Sequence, residues 1–195
     1  QSRTTRVSGV DLLDVRFTRD ALGRIETRTE LEAGVTTVFG YRYDAAGRLV
    51  EVKKNGAVTA TYEYDPNGNR LKKTTPGGVE VGTYDAQDRM LSYAGVTYAY
   101  DGNGDLTSKT DSSGTTTYDY DALGNLRKVT PSTGAVIEYV IDGQNRRVGK
   151  KVGGVLTTQW LYASDLRIVA ELDGSGAVVS RFVYGTRVNV PALLA

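Results

Sequence analysis

The sequence predicts an all-β fold in which antiparallel hairpins follow one another along the chain and form a curved or spiralling sheet. Three observations predict it. A motif of two tyrosines, an aspartate and a glycine recurs at intervals of about twenty residues. Gly-rich turns separate short stretches of alternating or β-branched residues. No stretch keeps a helical period of apolar residues for longer than two turns.

Residues 62–71 contain one complete repeat. Tyr62 and Tyr64 are two residues apart, so a strand places both rings on one face. Asp65 follows, where a short carboxylate can accept hydrogen bonds from the backbone amides of a turn. A Pro-Asn-Gly sequence comes next and favours a tight turn, since its residues suit the special backbone angles there. We therefore predict a strand, a tight turn and a second strand.

The same unit appears along almost the whole chain. Its first copy, at residues 17–25, is degenerate, and two faded copies lie around Trp160 and Phe182. In the fourth copy, Asp88 stands where glycine is usual. The predicted structural residues of the clear copies are Tyr41, Tyr43, Asp44, Gly47, Arg48, Tyr62, Tyr64, Asp65, Gly68, Tyr84, Asp85, Tyr98, Tyr100, Asp101, Gly104, Tyr118, Tyr120, Asp121, Gly124, Tyr139 and Asp142.

We expect about nine repeats between residues 15 and 190, with a lead-in at 1–14 and a tail at 191–195. A second, Gly-rich turn separates the repeats, so each repeat supplies two strands, roughly seventeen or eighteen in all. Residues 163–167 form the one stretch that permits a helical turn. Adjacent strands twist by about 20–25°, so a meander of this length is expected to coil. The tyrosine pairs are expected to stack in rows along one face.

The composition excludes several classes of function. The net charge is +1, from 24 basic and 23 acidic residues spread throughout, so no basic surface for nucleic acid is present. No apolar run is long enough to span a membrane. With 0 Cys and 0 His, the chain lacks disulfides, thiolate metal sites and the commonest catalytic bases. The N-terminus has no Met and no signal-peptide core, so we expect a piece of a longer polypeptide.

Two groups of acidic residues suggest catalysis or metal binding. Asp119 and Asp121 are near each other, as paired carboxylates of a glycosidase are, but Asp121 belongs to the periodic turns. Residues 65–69 and 101–105 place oxygen ligands at alternate positions, as an EF-hand loop does, without the rest of that loop. Turn formation explains each of these residues. We therefore predict no catalytic residue, cofactor or metal site.

Aromatic and basic side chains permit a binding role. The tyrosine rows, with Trp160 in place of one tyrosine, can stack on carbohydrate, although the two-residue spacing favours cross-strand packing. The arginines near the turn glycines are predicted to reach a carboxylate or a carbonyl of a neighbouring repeat; they are Arg24, Arg48, Arg70 and Arg89. A carbohydrate- or protein-binding module is therefore the alternative to a structural role. Open strand edges also predict self-association.

The pattern Tyr-x-Tyr-Asp-x-x-Gly-Arg-Leu, complete at residues 41–49, resembles that of the YD-repeat or Rhs (rearrangement-hotspot) proteins. This group also contains the C components of insecticidal toxin complexes and the animal teneurins. The resemblance covers nearly all of residues 15–190, and it is specific because the motif recurs many times at the right interval. Residues 181–191 look like the segment that precedes the Rhs-associated core of bacterial members.

The resemblance implies a β-ribbon that spirals into a hollow shell, which in toxin-carrying members encloses a C-terminal effector. It implies neighbouring shell repeats and an enclosed effector domain as partners, and a secreted or cell-surface location. The core of such members cleaves itself with an aspartate of an Asp-Pro-containing motif. Here the one Asp-Pro pair, Asp65-Pro66, lies inside a repeat turn, so no protease residue and no toxin activity is carried over. We expect a non-catalytic structural segment of a bacterial Rhs-type shell.

Overall fold

The computed structural model describes residues 2–7, 10–185 and 190–194 of the chain. Over these residues the fold is all-β, as predicted, with 19 strands and no helix. The chain divides into two compact units, Gln1–Gly95 and Val96–Ala195. Within each unit every strand pairs antiparallel with the next strand in sequence, so the predicted order of sequential hairpins is confirmed.

The strands of the first unit are β1 (Ser2–Val7), β2 (Val10–Arg19), β3 (Ile25–Glu32), β4 (Val35–Tyr43), β5 (Leu49–Lys54), β6 (Ala57–Tyr64), β7 (Arg70–Thr75), β8 (Gly78–Tyr84) and β9 (Met90–Tyr93). The strands of the second unit are β10 (Val96–Tyr100), β11 (Leu106–Asp111), β12 (Gly114–Tyr120), β13 (Leu126–Thr130), β14 (Ile137–Ile141), β15 (Arg147–Val152), β16 (Val155–Ser164), β17 (Arg167–Asp173), β18 (Val178–Tyr184) and β19 (Pro191–Leu194). No helix in these described residues is long and apolar enough to cross a membrane.

Two sequence expectations concern the ends of elements. Residues 163–167, which permit a helical turn, form instead the end of β16 and the turn into β17. Residues 1, 8 and 9 of the predicted lead-in, 186–189 of the predicted repeat array and 195 of the predicted tail fall outside the described residues.

Each unit has one face that carries the tyrosines, which we call the aromatic face. Tyr118 and Tyr120 in β12 are half-buried, whereas Asp119 between them is exposed. Register extends this face across the strands, because Tyr118 lies opposite Val129 and Val129 lies opposite Ile137. Because alternate residues of each strand point to the same face, the tyrosines and the apolar residues opposite them form a continuous half-buried surface.

The opposite face is more polar along most of the chain. In the first unit Lys72 and Glu63 form an ion pair across β6 and β7, with Nζ and Oε1 2.9 Å apart. In the second unit the hydroxyls of Thr110 and Thr115 share a hydrogen bond of 2.8 Å across β11 and β12. This face also carries single exposed apolar side chains, such as Val81 at 55% and Leu161 at 52% exposure.

Register shifts mark the end of each tyrosine strand. Within the first unit they fall at Arg42/Tyr43, Glu63/Tyr64 and Thr83/Tyr84, immediately before the aspartate turn. A bulge inserts one extra residue on the partner strand and increases the local twist. The second tyrosine of the repeat is thereby turned toward the preceding repeat, where it makes the contacts described below.

The described residues enclose very little. Ala60 and Ala170, each 7% exposed, are the only buried hydrophobic residues in the described part of the chain. No large side chain in that part is fully buried. Side chains therefore pack against cross-strand neighbours on a sheet and not around a closed core.

Tyr93, the one tyrosine outside the repeat motif, fills a gap in the aromatic face. Gly82 stands at the first tyrosine position of its repeat and lies opposite Tyr93 in the β8–β9 pair. A Cβ on Gly82 would lie 3.1 Å from Cδ2 of Tyr93 and 2.8 Å from the carbonyl oxygen of Arg70. The Tyr93 hydroxyl donates to Glu80 at 2.7 Å. The ring therefore occupies space that a first-position tyrosine has in other repeats.

This close approach predicts that Gly82→Ala destabilises the fold by about 1–3 kcal/mol, because the added methyl group meets backbone as well as a ring. Gly40→Ala is the matched control, since its Cβ would come no closer than 3.8 Å to Lys53. Both glycines lie inside strands. The midpoints of urea unfolding of the two variants measure the difference, and equal midpoints would contradict the assignment of Tyr93 to this gap.

Candidate functional site at the junctions between repeats

The aspartate turn is the most regular feature of the chain. In the repeat at Asp44, the backbone N–H of Asp44 donates to the carbonyl of Arg48 at 2.9 Å, and Gly47 N–H donates to the carbonyl of Asp44 at 3.0 Å. The carboxylate accepts the N–H of Arg48 on Oδ1 at 2.9 Å and the Nε–H of Arg48 on Oδ2 at 2.8 Å. One side chain thus satisfies both the backbone and the arginine that ends the turn.

The third residue after the aspartate adopts a positive φ, which explains the recurring glycine. Gly47 has φ 82°. Asp88 takes this position in the fourth repeat with φ 62°, and Asn145 takes it in the seventh with φ 65°. Asparagine and aspartate tolerate this region better than other residues do, so the substitutions keep the turn.

The arginines reach their own repeat more than their neighbours, which corrects the prediction made for them. Arg24, Arg48 and Arg89 each donate from Nε to the aspartate four residues earlier, at 2.7–2.8 Å. Arg48 also donates from Nη1 to the carbonyl of Asp65 in the next repeat at 2.6 Å. Only this last contact has the form that the sequence predicts.

Arg70 does not belong to this set. Asn69 stands at the fourth position after Asp65, where Arg48 stands after Asp44, and Asn69 Nδ2 donates to the Asp65 carboxylate at 2.9 Å. Arg70 lies instead over the ring of Tyr93, with Cζ 4.8 Å from the centroid. Its Nε is buried without a hydrogen-bond partner.

In five repeats the second tyrosine connects its repeat to the preceding one. Its hydroxyl donates to a carbonyl of the first or second residue of the preceding repeat's second strand. Strands β5 and β6 pair only from Glu51 and Thr61 onward, so the Leu49 carbonyl lies beyond their ladder and the hydroxyl supplies its partner. The observed donor–acceptor pairs are Tyr43–Ile25 at 2.8 Å, Tyr64–Leu49 at 2.8 Å, Tyr84–Arg70 at 3.1 Å, Tyr162–Arg147 at 2.9 Å and Tyr184–Ile168 at 2.9 Å.

The turn arginine covers the same tyrosine ring. Arg48 Cζ lies 4.9 Å from the centroid of Tyr64, and Arg24 Cζ lies 4.6 Å from the centroid of Tyr43. A guanidinium at this distance is attracted by the ring face, with a contribution of about 0.5–1 kcal/mol at exposed sites. We call this unit, the aspartate turn with the tyrosine of the next repeat, a junction.

The sequence analysis did not identify two residues of the aspartate turns. Arg146 is the partner of its turn aspartate, donating to Asp142 from Nε at 2.8 Å and from Nη2 at 2.7 Å. Asp173 forms the same turn at the opposite edge, where its Oδ1 accepts the N–H groups of Ser175 and Ala177. A search of the sequence for Asp-x-x-Gly and Asp-x-x-Asn, with the residue that follows each pattern, identifies both.

Hydrogen bonding to the turn carboxylates lowers their pKa values. The backbone N–H and then the guanidinium of Arg48 hold the pKa of Asp44 below its ordinary value. The hydroxyl of Ser113, followed by its backbone N–H, lowers the pKa of Asp111 from 3.8 to about 2. Burial raises the pKa of Tyr64. At neutral pH the turn is therefore anionic and the tyrosine is a protonated donor.

The acidic pairs considered for chemistry have turn or surface roles. Asp119 lies exposed on the opposite face, whereas Asp121 accepts hydrogen bonds from Asn125 within its turn. Asp101 Oδ1 is directed at the N–H groups of Asn103 and Asp105. No group of three or more His, Cys, Asp or Glu is placed to hold a metal ion in the part of the chain that the structure describes.

Trp160 lies on the aromatic face at a first tyrosine position, opposite Glu171 in the β16–β17 pair. It lines an open cleft of about 600 Å³. The second-position tyrosines use their hydroxyls and one ring face within junctions, which leaves less of them free for a sugar. A carbohydrate platform and edge-to-edge self-association stay predictions.

Comparison with known proteins places these repeats in context. A family model described as "Teneurin YD-shell" matches residues 1–194. Teneurin-3 of Danio rerio is 33% identical over 151 residues, which are 74% of this chain and 5% of that protein. Toxin protein Tse5 of Pseudomonas aeruginosa is 37% identical over 87 residues, 42% of this chain and 6% of that protein. The chain thus spans a small part of the relatives that it matches.

Solved structures share the fold. The crystal structure of TcdB2-TccC3 aligns over 91% of this chain and 12% of that one, with a TM-score of 0.58 at 16% identity. That of TcdB2-TccC3-TEV aligns over 91% of this chain and 11% of that one, with a TM-score of 0.56 at 14% identity. The resemblance to YD-repeat and Rhs proteins inferred from the tyrosine motif is confirmed by the family match.

The junction predicts that Tyr64→Phe lowers the free energy of unfolding by about 1 kcal/mol, because the Leu49 carbonyl loses its donor. Tyr62→Phe is the matched control, since the Tyr62 hydroxyl makes no hydrogen bond to any described residue, and we expect a change of less than about 0.5 kcal/mol. Denaturant unfolding of both variants checks this. Equal losses would show that the hydroxyl of Tyr64 does not connect the repeats.

The lowered aspartate pKa values predict acid destabilisation. A carboxylate whose pKa is lower in the folded state contributes stability that is complete above its unfolded value of 3.8. That stability disappears as the pH falls through the folded values, which reach about 2 at Asp111. The urea midpoint should fall between about pH 5 and about pH 2, and more shallowly in Asp111→Asn. An unchanged pH profile in that variant would contradict the prediction.

Proposed function

The chain belongs to the teneurin YD-shell family, and on that premise we propose that it forms a stretch of wall in a bacterial Rhs-type shell that encloses an effector. The structural role follows from the family. The enclosed effector and the absence of catalysis by the chain itself are our proposal. The observation that carries it is the row of junctions, in which tyrosines, aspartates and arginines are used to connect successive hairpins.

The arrangement of polar groups supports a structural role over an enzymatic one. The carboxylates of the repeats are committed to turn amides and guanidinium groups, as at Asp44 and Asp142. An active site is singular and holds groups aimed at a substrate, whereas these groups recur and point at their own backbone. The chemistry available here holds strands together.

The exposed surface supports a role as a wall with two different environments. The described residues lack a closed core, and neither face of the sheet is fully covered within a unit. A half-buried aromatic surface gains stability when another apolar surface lies against it. We therefore assign the aromatic face to the interior of the shell and the more polar face to solvent.

The relatives support the kind of cargo. One of the two curated relatives is named a toxin protein, and a wall that separates a toxic effector from the producing cell serves such a protein. We propose that this chain has a secreted or cell-surface location as part of the longer polypeptide. The enclosed partner would be that polypeptide's own effector domain, contacted through the aromatic face.

Chemical accessibility of adjacent residues tests the enclosure. Thr116 and Thr117 are consecutive in β12 and point to the aromatic and the opposite face respectively. Because the chain has 0 Cys, Thr116→Cys and Thr117→Cys each introduce a single thiol. In the full natural polypeptide we expect a polymer-linked maleimide to label Cys at 117 and to spare Cys at 116. In this chain alone, both thiols should react.

Two results would contradict the proposal. Equal labelling of both thiols in the full polypeptide would exclude enclosure by this wall. Protection of residue 117 with labelling of 116 would place the aromatic face outside. Circular dichroism of each variant ensures that a thiol is compared only in folded protein.

A further inference from the structure

One junction of the second unit lacks both of its characteristic side chains. The turn that begins at Asp121 ends in Asn125, where the turns that begin at Asp20, Asp44, Asp85 and Asp142 end in arginine. The next repeat carries Ile141 where the second tyrosine stands in the repeats from Tyr43 to Tyr184. The turn itself is intact, since Asn125 N–H and Nδ2 both donate to the Asp121 carboxylate at 3.0 Å. Only the ring and the guanidinium are missing.

An open cleft lies where those groups would be. Its volume is about 600 Å³, and Asn125, Leu126, Ile141, Asn145 and Trp160 are among its lining residues. The volume falls within the range of about 300–1,000 Å³ that is usual for ligand pockets. Its walls combine apolar and aromatic side chains with two amide groups, and Arg147 also lines the cleft.

The backbone around this cleft is also open. Strands β13 and β14 pair through only two residue pairs, Lys128 with Glu138 and Val129 with Ile137. The Leu126 carbonyl corresponds to the Leu49 carbonyl, which accepts the Tyr64 hydroxyl in its own junction. In the part of the chain that the structure describes, no side chain donates to the Leu126 carbonyl.

The other gap in the aromatic face has been filled from within. Gly82 lacks a ring, and Tyr93 on the facing strand occupies its space. At Ile141 none of the unit's described residues fills the space in this way, and the cleft persists. The contrast indicates that the cleft is a vacant tyrosine position and not a general feature of weaker repeats.

We propose that this cleft binds a tyrosine side chain presented by an extended segment of a partner polypeptide. The phenol hydroxyl donates to the Leu126 carbonyl, and the ring lies against Ile141 and Trp160. The bound tyrosine continues the row of junctions in trans, with the same acceptor that the chain uses in cis. This site goes beyond the wall function and does not depend on where the partner polypeptide comes from.

Trp160 supplies a direct readout, because the sequence contains 1 Trp and its indole N–H therefore gives a single NMR resonance. Titrating the chain with N-acetyl-tyrosinamide should shift this resonance in a saturable way, in the millimolar range expected for so small a ligand. N-acetyl-phenylalaninamide should bind about fivefold more weakly, because it cannot make the hydrogen bond to the carbonyl.

A double variant and a matched control complete the test. The double variant Asn125→Arg with Ile141→Tyr introduces the missing arginine and tyrosine. It should abolish the ligand-induced shift of the Trp160 resonance and raise the melting temperature. Leu123→Ala changes the same turn at a residue that is 77% exposed and does not line the cleft, so binding should persist. If the double variant does not fold, Ile141→Tyr alone serves in its place.

The proposal is wrong if the unmodified chain shows no saturable shift of the Trp160 resonance. It is equally wrong if the tyrosine and phenylalanine probes bind alike, because the cleft would then be a general apolar surface. Binding that persists in the folded, filled variant would place the probe elsewhere. The enclosure experiment at residues 116 and 117 is unaffected by any of these results.

Discussion

A single hydrogen bond between repeats determines how this chain is built. The second tyrosine of a repeat donates to a carbonyl that the preceding hairpin leaves beyond its own ladder, as Tyr64 does to Leu49. Without that donor each hairpin would end in an unpaired backbone group, which is costly wherever water is excluded. The guanidinium of the turn arginine lies over the same ring, so one tyrosine side chain makes both a hydrogen bond and a cation–π contact.

The aspartate turn prepares this contact. Asp44 holds Arg48 through both its backbone and its side chain, and Arg48 then lies over Tyr64 and reaches the carbonyl of Asp65. The turn therefore positions the arginine, the arginine positions the tyrosine ring, and the ring positions the next turn. The proposed function as a wall depends on these contacts, because the junctions, and not a closed core, hold successive hairpins together.

Much of this arrangement can be predicted from the sequence, and the rest depends on three-dimensional register. The strands, the turns and the residues at positive φ follow from local rules that one sequence displays. The role of Tyr93 does not, because its partner Gly82 is recognised only when β8 and β9 are placed in register. Arg70 was misplaced for a simpler reason, since Asn69 takes the fourth position after Asp65 and Arg70 takes the next one, which corresponds to Leu49. The carbonyl that receives each tyrosine hydroxyl could not be predicted either, since it depends on where neighbouring strands diverge.

The scarcity of buried side chains has a consequence for how such chains diversify. Ala60 and Ala170 are the only deeply enclosed apolar residues among those described, so no distant part of the chain relies on any one hairpin. When each unit depends only on its immediate neighbours, gene duplication can add a hairpin and deletion can remove one without remodelling the remainder. Length can therefore change in whole hairpins during evolution, while individual motifs decay at little expense to the others.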